Sequence, residues 1–160
     1  MQPNEHHYAL SVRWTGNLGE GTSGYRKYSR DHVVNADGPP EIVASSDPAF
    51  AGDKNRWNPE QLLLAATAQC HMLSYLYVAS KAGIVVTAYE DHAEGTLALN
   101  PDGSGQFVSA ILHPHVTITD PDKQELARSL HHEAGQVCFI ARSVNFPIAH
   151  EPQVVIEIPA

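Results

Sequence analysis

At 160 residues, with 42% hydrophobic and 18% charged side chains, the chain is long enough to bury a sizeable core and carries no tract of extreme bias. A net charge of −8 repels phosphate backbones and argues against a nucleic-acid partner. No basic segment opens into an apolar run, and no apolar stretch is expected to cross a bilayer. The expectation is therefore one cytoplasmic domain over residues 1–160, with no membrane partner.

In chain order, His7 to Trp14 sets Tyr8, Leu10, Val12 and Trp14 on one face at period two, the pattern of a half-buried strand. After a glycine-rich turn through Gly24, aromatic and β-branched residues from Tyr25 to Val34 favour a second strand, with Arg26, Tyr28, Arg30 and His32 on one face. Glu41 to Ala44 reads as a short third strand, and Ser45 to Trp57 as a loop.

The central element follows. Asn58 suits a helix cap and Pro59 the first helical position, and the helix should run to Gly83. Leu62 to Ala66 are apolar on every side, so this segment is expected to be buried all round. One sheet covers too little of such a helix, and the same helix from a second copy is the simplest extra cover, giving a two-fold homodimer.

Ile84 to Leu99 and Gln106 to Thr119 then form two β-rich runs joined by the hairpin signal Asn100-Pro101-Asp102-Gly103-Ser104-Gly105. Asp120-Pro121 starts a second helix lined by Leu126, Ala127, Leu130 and Ala134, which Gly135 should end or bend. Cys138 should open a short helical turn through Val144, where first-turn N–H groups favour a thiolate. Gln153 to Ile158 closes the chain as a strand. The order of elements makes an α+β fold with a mostly antiparallel sheet.

Two cysteines, Cys70 and Cys138, are either inert core thiols or a redox pair. Ten histidines invite a metal reading, but His6-His7, His113, His115 and His131-His132 lie in no ligand frame and are expected at the surface, with no metal bound. His71 follows Cys70 directly. Adjacent helical residues point about 100° apart, so His71 is assigned to packing or a dimer contact and not to the thiol.

The block Asn58-Pro59-Glu60-Gln61-Leu62, with Cys70 ten residues after the glutamate and Gln136-Val137-Cys138 further on, resembles the OsmC/Ohr family of organic hydroperoxide reductases. The resemblance covers most of the chain and implies the OsmC-like fold, an intertwined homodimer with mostly antiparallel sheets around a long buried central helix. It implies Cys70 as the peroxidatic thiol, Cys138 as the resolving thiol, and a glutamate at Glu60 holding an arginine that supports the thiolate. Relatives carry that arginine in the early strands or just before the helix. The pre-helix stretch Pro48-Ala49-Phe50-Ala51-Gly52 has none, which leaves Arg26 as the first choice and Arg30 as the second, with Arg56 and Arg13 behind them.

The implied chemistry is reduction of organic hydroperoxides to alcohols without a cofactor, through a Cys70 sulfenic acid and a Cys70–Cys138 disulfide. An external dithiol, such as a lipoyl-type one, then recycles the pair. The alternative keeps the fold and makes the protein a binding or sensor module for oxidised lipids or thiols, with little turnover.

Overall fold

The helix announced by Asn58 and Pro59 is present as α1, Pro59–Lys81. Asn58 Oδ1 accepts from the Gln61 N–H at 2.8 Å and Gln61 Oε1 accepts from the Asn58 N–H at 3.2 Å, a reciprocal capping box. At the far end Gly83 takes φ +71°, which an L side chain resists. Its N–H bonds Ser80 O at 3.0 Å, and that of Ile84 bonds Ala79 O at 2.9 Å, closing a Schellman turn. The structure, a computed structural model, describes residues 4–160. The chain packs as two compact units, Met1–Leu62 and Leu63–Ala160.

Two expectations about α1 need correction. By length and composition α1 is able to cross a membrane, with a mean hydropathy of 1.3 over its most apolar window. Its Tyr75, Val78 and Ala79 instead join a protein core, with Thr67 and His71 buried on the same helix. Nor is α1 buried all round within one chain. Leu62 to Ala66 are half-buried, and Leu73 and Tyr77 are 60% and 61% exposed. The buried positions 67, 71, 75, 78 and 79 repeat at helical spacing, so a single stripe faces inward.

In the first unit, β1 (Ser11–Trp14), β2 (His32–Asn35) and β3 (Ile42–Ala44) form an antiparallel sheet in that order. The second strand starts much later than expected. Asn17 Oδ1 gathers the N–H groups of Gly19 and Gly21, and the Lys27 N–H bonds Gly24 O at 2.9 Å. These local bonds fold residues 17–27 into turns, and strand propensity at Tyr25 and Tyr28 is overridden by turn chemistry. Gly16 is required where the hairpin closes, because a Cβ there would lie 2.0 Å from Ser29 O.

In the second unit both expected β-runs break in two. β4 (Val86–Asp91) and β5 (Glu94–Leu99) are separated by a bend, as are β6 (Gly105–Leu112) and β7 (Pro114–Ile118). The hairpin falls where the sequence places it, with Leu99 opposite Gly105 and Gly103 at φ +87°. α2 (Gln124–Val137) follows an Asp120-capped 3₁₀ turn, and β8 (Ile148–His150) and β9 (Gln153–Ile156) complete the unit.

The sheet orders are β4-β7-β9 and β5-β6-β8, in which β8 and β9 join in parallel and the other pairs are antiparallel. The α+β class and the mostly antiparallel character match the expectation, while β8 was not foreseen. Three residues are too short to carry a period-two pattern.

Ile84, Val116, Ile118, Val154 and the α2 residues Ala127, Leu130 and Ala134 share one cluster with Tyr75, Val78 and Ala79. Gly135 does not end α2. A Cβ at this position would stand 2.7 Å from His150 Cε1, so the missing side chain lets β8 approach the helix.

Candidate active site

Cys70 projects from the middle of α1, and Cys138 stands at the C-cap of α2 with extended backbone, φ −71° and ψ 116°. Both are free thiols. Cys138 is 1% exposed, whereas Cys70 is half-buried and lines a cavity of about 430 Å³. Leu73, Ser74 and Tyr77 of α1 and Val137 and Phe139 beside Cys138 make the rest of the wall, so the cavity is almost wholly apolar. Phe139 is 80% exposed at its rim.

As expected, Cys138 opens a short helical turn: its carbonyl accepts the Arg142 N–H at 3.1 Å, and a 3₁₀ turn over Ala141–Ser143 ends at Val144. It also closes α2, whose carbonyl end carries partial negative charge and disfavours a thiolate. Burial pushes its thiol up to about 11, and the neighbouring Cys70 thiol adds to the shift, while the Ala141 N–H, 3.4 Å from Sγ, works in the opposite sense. Cys138 is thus a protonated thiol at neutral pH. Cys70 is the thiol that solvent and an apolar ligand can reach.

The structure separates the arginine candidates by their surroundings. Arg26 sits exposed at the corner of the turn closed by Gly24 and Lys27, and not on a strand. Arg30 holds its guanidinium 4.3 Å from the Tyr25 ring centre and 4.0 Å from that of Tyr28, and its Nη1 donates to Tyr28 O at 2.7 Å. Its Nη2 is enclosed without a partner. Arg56 is occupied by Asp31 and Asp53 at 3.5 and 3.8 Å. Glu60 lies in the first turn of α1, and its Oε2 is likewise enclosed and unpartnered. A buried charged group without a hydrogen bond is costly, and Arg30 and Glu60 each retain one such atom.

Behind the thiols lies a cluster that the sequence did not disclose. His131, expected at the surface, is 2% exposed, and His71 is 1% exposed. His71 Nε2 is 3.0 Å from His131 Nδ1. The His150 ring stacks on His71 at 4.2 Å and the Tyr75 ring on His131 at 3.9 Å. Burial is the first cause that lowers His71 to about 3 and His131 to about 4, with neighbouring histidines adding repulsion. His71 is therefore a packing residue turned away from Cys70. Spacing offered a signal: residues 71 and 75 on α1 and 127, 130, 131 and 134 on α2 share the buried stripes. Among the described residues no group of three or more His, Cys, Asp and Glu is placed to hold a metal ion.

The family model for OsmC-like protein matches residues 52–152. The fold is similar to an OsmC-like protein of unknown function from Vibrio cholerae, at 31% identity and TM-score 0.82, covering 93% of this chain and 100% of that one. It is also similar to an organic hydroperoxide resistance protein OsmC from Legionella pneumophila (21% identity, TM-score 0.68, 93% and 96% covered). A third likeness is a putative organic hydroperoxide resistance protein from Vibrio cholerae with captopril bound in one of its active sites (25% identity, TM-score 0.66, 96% and 95% covered). No curated protein matches. A matched span that holds Glu60, Cys70 and Cys138, on a fold shared along nearly the full length of its relatives, places the chain in the OsmC-like protein family.

Proposed function

We propose that the protein is a cysteine-based peroxidase that reduces organic hydroperoxides to alcohols in the cytoplasm. The observation that carries this reading is the pair of free thiols, one lining an apolar cavity of about 430 Å³ and the other buried beside it. Cys70 attacks the outer peroxide oxygen. The O–O bond breaks, the alcohol leaves with a proton, and Cys70 becomes a sulfenic acid. The Cys138 sulfur displaces hydroxide as water, forming the Cys70–Cys138 disulfide, and an external dithiol of lipoyl type reduces it by exchange. The apolar wall favours an organic group over hydrogen peroxide.

Of the two arginine candidates for the partner that Glu60 holds, we assign Arg30. Its free, enclosed Nη2 is a donor awaiting a negative charge, whereas Arg26 is solvated. Steady-state consumption of cumene hydroperoxide and of hydrogen peroxide with dihydrolipoamide tests the reading. The organic peroxide should turn over faster. Arg30→Gln should lose about 10- to 100-fold in kcat/KM, the scale of one electrostatic contact to a developing charge, while Arg26→Gln keeps most activity. Stoichiometric binding of an oxidised lipid or thiol without turnover would favour the sensor alternative instead.

The working unit we propose is a homodimer. Leu73 and Tyr77 on α1 and Tyr8, Leu10 and Val12 around β1 are all more than half exposed, more apolar surface than a lone domain usually shows. Light scattering should give twice the chain mass of 17.4 kDa. A monomer at micromolar concentration would remove this part of the proposal.

A further inference from the structure

We infer that His71 and His131 are positioning residues, whose contact fixes the register of α1 against α2 that brings Cys70 and Cys138 together. The inference rests on the thiol-pair reading above and adds residues that touch neither substrate nor sulfur.

The two helices meet through matched steps. Tyr75 Oη donates to Ala127 O at 2.9 Å. Four residues back along α1 and four residues forward along α2, His71 and His131 meet at 3.0 Å. Steps of one turn in opposite directions mean that α1 and α2 run antiparallel here, pinned at two successive turns. The pins continue sideways, because the Tyr75 ring lies on His131 at 12° and the His150 ring on His71 at 21°. Gly135, one turn beyond His131, leaves the space that β8 needs for His150.

The cysteines lie at the edge of this column. Cys70 precedes His71, and Cys138 follows His131 by seven residues, about two turns. A disulfide tolerates Cα separations of only about 4.4–6.8 Å, so a slip of a single turn, about 5.4 Å, would part the sulfurs. Apolar pairs such as Leu130 with its neighbours bury area but do not choose between nearby registers. A hydrogen bond between two rings does, because it is lost within a few tenths of an ångström of its optimum. The contact needs one nitrogen with a proton and one without, which two neutral imidazoles supply. The lowered proton affinity of both histidines keeps that state through neutral pH.

The test is thiol–disulfide exchange with reduced and oxidised dithiothreitol, in which the protein dithiol gives two electrons and two protons to the reagent's disulfide. His71→Leu and His131→Leu remove the contact and keep the volume. His71→Gln and His131→Asn retain a polar atom near Nε2 and Nδ1 respectively. The Leu variants should lower the exchange constant for the Cys70–Cys138 disulfide about tenfold, equivalent to about 30 mV for two electrons, with the Gln and Asn variants within threefold of the parent. A purely structural role would lower the melting temperature of the Leu variants and leave the exchange constant unchanged, which overturns the inference. Where a Leu variant does not fold, Tyr75→Phe decides, with a two- to threefold fall expected and an unchanged constant against. A parent protein that forms no Cys70–Cys138 disulfide defeats the thiol-pair reading itself. One that forms it equally well in every variant defeats only the positioning role.

Discussion

Replacing Cys70 by serine should reduce peroxide turnover by at least about a thousandfold, the scale of removing a nucleophile. Serine keeps the shape, but its hydroxyl stays protonated where a thiol can ionise. Cys138→Ser should behave differently. Its first turnover should proceed, because the attacking sulfur and the cavity are intact, and then stall at a sulfenic acid that dimedone traps and excess peroxide converts to sulfinic acid. The asymmetry follows from exposure: Cys70 opens on the cavity, whereas Cys138 is enclosed and its thiol is held up to about 11. Stopped-flow peroxide consumption with mass spectrometry of the product distinguishes the two. Turnover retained in Cys70→Ser and lost in Cys138→Ser would exchange the roles.

A second large effect is expected in acid. His71 and His131 have folded pKa values of about 3 and about 4, below the ordinary 6.5, so the unfolded chain binds these protons first. Stability is therefore complete above pH 6.5 and falls as pH drops below it, until the folded-state values are reached. At pH 5 each histidine that stays neutral should cost on the order of 2 kcal/mol, and the two together a large share of a typical 5–15 kcal/mol domain stability. His150 is lowered as well and adds to the slope. Asp91 acts in the opposite sense, because burial raises its pKa and the folded chain gains from its protonation as pH falls. Urea midpoints should fall steeply from pH 7 to 5, and His131→Gln should flatten the slope by about one proton. Midpoints that are level over this range would show that the buried histidines charge freely in the folded state.

The elements legible in the sequence were those governed by local chemistry. Asn58-Pro59 and Gly83 set the ends of α1 because a cap, a fixed φ and a left-handed turn are satisfied within four or five residues. The Asn100–Gly105 hairpin and the Asp120 cap were readable for the same reason. The family was readable too, because the block Asn58 to Leu62 with Cys70 and Cys138 carries the resemblance in the sequence itself, and the family model matches residues 52–152. The α+β class followed from the order of elements.

What the sequence left open depended on partners remote in the chain. Tyr25 to Ser29 have strand-like composition, yet the bonds from Asn17 and Gly24 make turns of them, and this alone moves Arg26 to an exposed corner and leaves Arg30 with an enclosed free donor. Gly135 reads as a helix end, but its absent side chain serves His150 fifteen residues away, on a strand too short to announce itself. Cys138 reads as the start of a turn and is one, but it is also a buried helix end, so desolvation and not the turn's N–H groups decides the direction of its pKa shift. His131 has the composition of a surface residue. Only the meeting of α1 with α2 buries it, because a side chain's solvent exposure belongs to the packed surfaces around it and not to its neighbours in sequence.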